Sequence, residues 1–426
     1  MKKQKIFYSL FLLANLVCLT SVTAYGLFND LSDTETGIPV NQGEWDFTPN
    51  APELTNGMNP VYWDGTTEIV KFTDANLTVT NPNWVEEDWY FYRNTRDQVF
   101  DNQWANMKTA DGSYWVWIPR FVYVVRTNFH TGTTGTIDVS FVEGTNDLTF
   151  FQNLVNSNSA TAANQTWTTH PAFTFGNTQL EGFWVAKFLA NNNNGVPRFI
   201  PGVTTWTSIT IETAFNEGRS IENEASVGLT NTQVDTMLLR NDQFVAISIL
   251  SLSKYGRSGS LTATPSNVSV SGGGTGNRWT TQAGLNESST FNIHGIYDLG
   301  GSEYVPAYSN ANPSLGNSVV VQSFNANPGL YAHRFNGYDD TANFKGHGFW
   351  EFASGTAMRS FATGTSNVTA GASAWGQQAN FAGYSNNTGT GGFYRDYVFR
   401  VGQFGFSQAL NFAYTTLRFR ASIVVL

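Results

Sequence analysis

A β-rich fold with few helices and long polar loops is what this sequence predicts, and three observations predict it. Runs rich in Val, Ile, Phe, Tyr and Trp recur along the chain in strand-like lengths. No stretch keeps a 3.6-residue apolar period for more than about a dozen residues, which excludes long helices and coiled coils. Long connections of Asn, Gly, Ser and Thr separate the runs.

The strand-like runs are 68–72, 114–125, 182–189, 319–324 and 417–425. Two segments read as helices. The first, 232–252, follows the capping residues Thr230 and Asn231 and carries Val234, Met237, Leu238, Phe244 and Ile247. The second, 205–218, ends at a glycine, the usual helix stop. The polar connections are 156–169, 258–276, 307–316 and 364–391, which suits a scaffold that binds through its loops or one whose loops merely decorate a surface. No internal repeat is present.

Composition narrows the function classes. Aromatic residues make up 15% of the chain and charged residues only 13%, about half the usual quarter. A hydrophobic share of 41% is enough for a sizeable core and excludes wholesale disorder. The net charge of −9 argues against a nucleic-acid partner, which needs clustered Lys and Arg to neutralise phosphates. A single Cys excludes a disulfide scaffold and a cysteine-rich zinc site. The 426 residues are more than one ordinary domain uses.

The chain opens with Lys2, Lys3 and Lys5 before an apolar run from Ile6 to about Cys18, then Val22-Thr23-Ala24. A basic start, a short apolar core and small residues before Tyr25 describe a secretory signal peptide over 1–24. The apolar core is shorter than the roughly 18 residues of a membrane span, so membrane contact is expected only in transit. Cleavage removes the only Cys and makes the chain more acidic. The expected location is extracellular, secreted or associated with the cell surface.

Residues 24–30, with Gly43-Glu44-Trp45-Asp46, resemble the leader and first strand of Gram-positive biofilm-fibre proteins. Five further segments fall in a recognisable order. They are Trp115-Val116-Trp117-Ile118-Pro119-Arg120; His170-Pro171-Ala172-Phe173 with Gly182-Phe183-Trp184-Val185-Ala186-Lys187-Phe188; 246–253 with Lys254-Tyr255-Gly256; Asn292-Ile293-His294-Gly295-Ile296-Tyr297-Asp298; and Phe399-Arg400-Val401-Gly402 with Leu417-Arg418-Phe419-Arg420. In this order they resemble the formylglycine-generating-enzyme-like branch of the C-type-lectin fold, found in Firmicutes surface proteins and phages. The resemblance covers about residues 58–426. It implies an α+β, β-rich domain with twisted antiparallel sheets, few helices, long loops and neighbouring termini, preceded by a short N-terminal strand. The expected division is 25–57 as strand or linker, 58–110 as a β-rich N-terminal part and 111–426 as the lectin-like domain. Two places depart from the family pattern: Ser302-Glu303-Tyr304-Val305-Pro306 stands where a Trp-Glu pair is usual, and Val401 replaces a glycine.

Enzymes of that family oxidise a substrate cysteine with copper held by two thiolates, because soft sulfur selects Cu(I). The mature chain has no thiol, so no catalytic residue and no enzyme activity are expected. Related iron enzymes use three His on one helix, whereas His130, His170, His294, His333 and His347 are scattered. No cofactor is expected beyond a structural calcium, for which the resemblance offers Asp298, Glu303, Asp339 and Asp340. The plainer reading makes Asp298 a turn cap and Asp339-Asp340 a solvated pair. Glu86-Glu87-Asp88 reads as a solvated turn, since neighbours rarely flank one substrate. Gly272-Gly273-Gly274-Thr275-Gly276 lacks the Lys of a phosphate loop.

Binding is carried by aromatics. Tyr394, Tyr397, Phe404, Phe406 and Tyr414, with Gln408 and Asn411, lie where lectin-fold proteins place their ligand face, and planar rings stack on sugars or anchor interfaces. Strand alternation would send about every second ring to the core. Leu27, Phe28, Ile38, Val40, Trp45 and Phe47 give 25–47 the pattern of a strand that could add to a neighbour's sheet. The sequence therefore predicts a non-catalytic protein whose partner is itself, in a homopolymer, or a cell-surface glycan or protein. An adhesin, a lectin-like receptor of retroelement-diversified or phage type, and an assembly subunit stay open as alternatives.

Overall fold

The computed structural model describes residues 49–63, 68–70, 89–90, 103–127, 136–145, 168–253, 255–256, 269–272, 278–280, 288–290, 292–299, 303–309, 330–331, 333–335, 392–396, 405–409 and 415–426. Its first strands are β1 (Asn59–Trp63), β2 (Glu68–Val70), β3 (Asn106–Lys108), β4 (Tyr114–Pro119), β5 (Phe121–Thr127) and β6 (Thr136–Phe141). Short strands follow: β7 (Thr168–Thr169), β8 (Thr174–Phe175), β9 (Thr178–Gln179), β10 (Gly182–Ala186), β11 (Asn191–Asn193) and β12 (Val196–Arg198). After helix α1 (Ile211–Ser220) come β13 (Val234–Leu238) and helix α2 (Asn241–Leu252). The last strands are β14 (Glu303–Ser309), β15 (His333–Phe335), β16 (Gly392–Asp396), β17 (Gly405–Ala409) and β18 (Ala421–Val425). The fold is β-rich, with two α-helices among the described residues and several small, mostly antiparallel sheets.

A seven-stranded sheet in the order β13-β18-β10-β4-β3-β1-β2 is the largest sheet among the described residues. Its middle strands are apolar in nearly every position because both faces are covered. On β4, Val116 and Ile118 enter one core while Trp115 and Trp117 enter the other. Phe183 and Val185 of β10 join the first core, and Trp184 and Ala186 the second. The same alternation splits Val424 from Ile423 on β18. Helix α2 covers the first face through Phe244, Ile247 and Leu250, and α1 covers the second through Ile211, Ala214 and Phe215. Each Val, Leu, Ile or Phe side chain among these contributes about 1.5–3 kcal/mol by leaving water.

The expected helix over 232–252 is a correction. Only its second half is helical; Val234–Leu238 is a strand, paired antiparallel with β18 in register Val234↔Val425 through Leu238↔Ala421. The segment satisfies its backbone with the end of the chain, a partner that local periodicity does not reveal. The helix starts at Arg240, whose backbone N–H donates to the Gln243 side chain at 3.1 Å. The other predicted helix begins later than expected, at Ile211, where the hydroxyl of Thr210 accepts from the N–H of Thr213 at 3.0 Å. It also runs past Gly218 to Ser220. Gly218 is required for another reason: a Cβ there would lie 2.5 Å from the backbone nitrogen of Leu238, so the glycine lets α1 lie against β13.

The long run 114–125 is two strands in different sheets. β4 belongs to the seven-stranded sheet, while β5 pairs with β6 and β7 in a three-stranded sheet. Arg120 stands at the break, 2% exposed. Its guanidinium donates to the carbonyls of Phe173 and Leu180 at 3.2 and 3.0 Å and to Gln179 at 3.0 Å. The predicted strand 319–324 lies outside the described residues.

Candidate functional site

The run Gly182–Ala186 delivers Lys187 into the interior at the end of β10, with its N–H donating to Tyr114 O at 2.9 Å. The side chain is 1% exposed. Its Nζ donates to Asn106 Oδ1 and to the carbonyl of Ile293, both at 2.7 Å. Three rings enclose it, with Nζ 5.2 Å from the centre of Trp279, 5.8 Å from Tyr297 and 6.0 Å from Phe188. Tyr114 packs at 5.3 Å on Trp279, which is also 5.3 Å from Trp63. Burial pushes the Lys187 amine well below the usual lysine range, and the charge of Glu68 opposes that shift.

Asn106 comes from β3, two strands away in the sheet. Its Nδ2 donates to Trp104 O and His294 O, both at 2.6 Å. His294 is held by the bond from its N–H to Asn292 Oδ1 at 2.7 Å. Burial first, and the nearby Lys187 second, push its imidazole well below the usual histidine range, so the ring is neutral. Its Nε2 has no hydrogen-bond partner among the described residues. At the rim, the Tyr114 hydroxyl donates to Glu68, which also accepts from Lys108 Nζ at 2.9 Å. Burial and that bond push the Tyr114 phenol well above its usual range. The cluster therefore gathers a buried amine, a side-chain amide and a neutral imidazole in a space lined by aromatic rings.

Below it, Arg420 ties four segments together. Its guanidinium meets Glu303 at 3.0 and 3.2 Å and donates to the carbonyls of Ala186, Lys187 and Tyr297 at 2.7, 2.9 and 2.6 Å. Both members of the pair are 0% exposed. Glu303, a calcium candidate by resemblance, thus has both oxygens engaged by arginine. Asp298 sits at φ 58° and accepts from Ser271 Oγ at 2.7 Å and Gly272 N–H at 2.8 Å, so it fastens one loop to another. Asp339 and Asp340 lie outside the described residues. Among the described residues, no group of three or more His, Cys, Asp or Glu side chains is placed to hold a metal ion.

The expected binding aromatics fall partly on a second sheet, ordered β15-β14-β16-β17. Tyr394 stands in a cross-strand row with Tyr304 and Ser407. Phe406 stands in the row of Glu303 and Arg395, and Gln408 in the row of Val305 and Phe393. Tyr397, Phe404, Asn411 and Tyr414 lie outside the described residues, as do Leu27, Phe28, Ile38, Val40, Trp45 and Phe47.

The segment just after the expected assembly strand is described and is tightly held. Asn50 donates to Gly144 O at 3.0 Å and Glu181 O at 2.9 Å, and its Oδ1 accepts from Gly144 N–H at 2.7 Å. Trp117 and Trp184 donate their indole N–H groups to Asn50 O at 3.0 Å and Glu53 O at 2.7 Å. Sequence reading did not find this clamp or the Lys187 cluster. The signal for the second was present: a lone Lys inside an apolar strand run must bury its charge or find partners. No family model matches the chain, and no curated protein is found as a relative.

Proposed function

We propose that this is a secreted, non-catalytic protein of C-type-lectin fold that acts by binding, as the self-assembling subunit of an extracellular filament or layer. The observation that carries this reading is the clamp at residues 49–53. It fixes the chain against β4 and β10 immediately after 25–47, the apolar, aromatic segment whose pattern suits an added strand. An acceptor edge is also at hand, since β17 ends the order of its sheet among the described residues.

The motif residues support the non-catalytic part of the reading. Arg120, Arg420, Glu303 and Asp298 bond to backbone groups, to the side chains of Gln179 and Ser271 or to one another, which is framework work. His170 caps the short helical turn Pro171–Phe173, its Nδ1 accepting from Ala172 N–H at 3.2 Å. The lectin fold is supported by the pairing of two motif strands, β4 and β10, in the seven-stranded sheet and by the return of β18 beside β10, near the clamped N-terminal segment.

A second reading, an adhesin or receptor for a glycan or surface protein, draws on the Tyr304–Tyr394 row of the C-terminal sheet. Two experiments separate these readings. Deleting residues 25–47 should abolish polymers in electron micrographs while leaving a folded monomer; unchanged filaments would sink the subunit reading. Replacing Tyr394, Phe404 and Tyr414 by Ala should remove saturable glycan or cell-surface binding if the adhesin reading holds, and leave assembly intact.

A further inference from the structure

We propose that the amine of Lys187 condenses with the side-chain amide of Asn106, forming an internal isopeptide cross-link between the end of β10 and β3. Three features of the cluster lead there. The first is reach: Nζ and Oδ1 are 2.7 Å apart, on side chains 1% and 3% exposed. The second is orientation. Both Nδ2 hydrogens are directed to the carbonyls of Trp104 and His294, which leaves the amide oxygen turned to the amine, one bond from the carbon to be attacked. The bond to Ile293 O holds the amine on its other side. Two groups kept in contact for the life of a protein react as one molecule, and effective molarities in such geometries are about 10⁵ M or more.

The third feature is the medium. Trp279, Tyr297 and Phe188 surround Nζ, and the acceptors of the amine among the described residues are two neutral oxygens. A permanently charged ammonium is costly in such a place, whereas a neutral amine fits it and is the nucleophilic form. The downward pull of burial on this amine acts in the same direction. Ring cover also keeps out the water that would otherwise hydrolyse an activated amide.

The atoms balance without a further reactant. The amine nitrogen attacks Cγ of Asn106 and the new C–N bond forms. The Cγ–Nδ2 bond breaks, and a proton from the amine passes to the departing nitrogen, which leaves as ammonia. Nothing is oxidised or reduced. The carbonyls of Trp104 and His294, which hold Nδ2 beforehand, receive the ammonia as it departs. The bond would close a span of 81 residues and fasten β3 to the end of β10 across β4, the strand between them.

The test is the mass of the secreted full chain, with its N-terminus fixed by peptide mapping. The expected result is an intact mass lower than that of the linear chain by one ammonia, with a branched peptide joining positions 106 and 187. Lys187→Arg and Asn106→Ala should each restore the full mass and slow migration in denaturing gels, because the closed span opens. Should either variant fail to fold, the wild-type protein decides alone. A full mass with both peptides recovered in linear form would overturn the proposal, and so would an ammonia loss mapped to any other residue.

Discussion

Replacing Glu303 by Gln removes the carboxylate that Nε and Nη2 of Arg420 both face, while keeping the shape of the side chain. The pair is 0% exposed on both sides, so water cannot take over the role of the lost charge. Breaking a buried pair by deleting one partner costs about 3–5 kcal/mol, because a charge is left uncompensated. That is a fall of about two to three and a half powers of ten in the folding constant. Arg420→Met should cost at least as much. It strands the Glu303 carboxylate and also withdraws donors from the carbonyls of Ala186, Lys187 and Tyr297, at about 1–3 kcal/mol for each acceptor left unsatisfied. Urea unfolding followed by tryptophan fluorescence reads both variants, and the slope with denaturant should stay unchanged while the midpoint falls. A loss below about 1 kcal/mol for Glu303→Gln, in the range of an exposed pair, would refute the claim that this pair locks the four segments together.

Further outcomes follow from other contacts. Gly182→Ala places a Cβ 2.3 Å from the Trp117 ring and 2.7 Å from Ile118 O, so a loss of about 1–3 kcal/mol or failure to fold is expected in the same urea assay. Asn50→Ala removes three hydrogen bonds and should expose residues 49–57 to limited proteolysis without melting the seven-stranded sheet. Glu53 has its carboxyl pushed up from 4.5 to about 7, by burial first and by the charge of Glu181 second. Between those values the folded state binds more protons than the unfolded one, so docking of this segment is strongest below about pH 4.5 and weakens as pH rises through 7. Hydrogen exchange at residues 50–53 across that range should show the trend, and Glu53→Gln should flatten it.

Much of the framework is written in local sequence. Gly182–Ala186 and Tyr114–Pro119 are strands because their β-branched and aromatic side chains fill a core on both faces, and the run itself says so. The second half of the 232–252 segment is helical as expected. What local pattern could not carry is pairing between distant residues. Val234–Leu238 has helix-compatible spacing but finds the C-terminal strand as its partner. The unbroken apolar run 114–125 hides the turn at Arg120, whose partners are carbonyls from 173 and 180. Asn106 and Lys187 gave no joint signal, since 81 residues separate them and only β4 brings them side by side.

Assembly is the central claim, and electron microscopy of the secreted protein tests it most directly. Wild-type protein should form regular filaments or layers, and protein lacking residues 25–47 should remain as folded single particles under the same conditions. Wild-type protein that stays as single particles at every concentration would contradict the account.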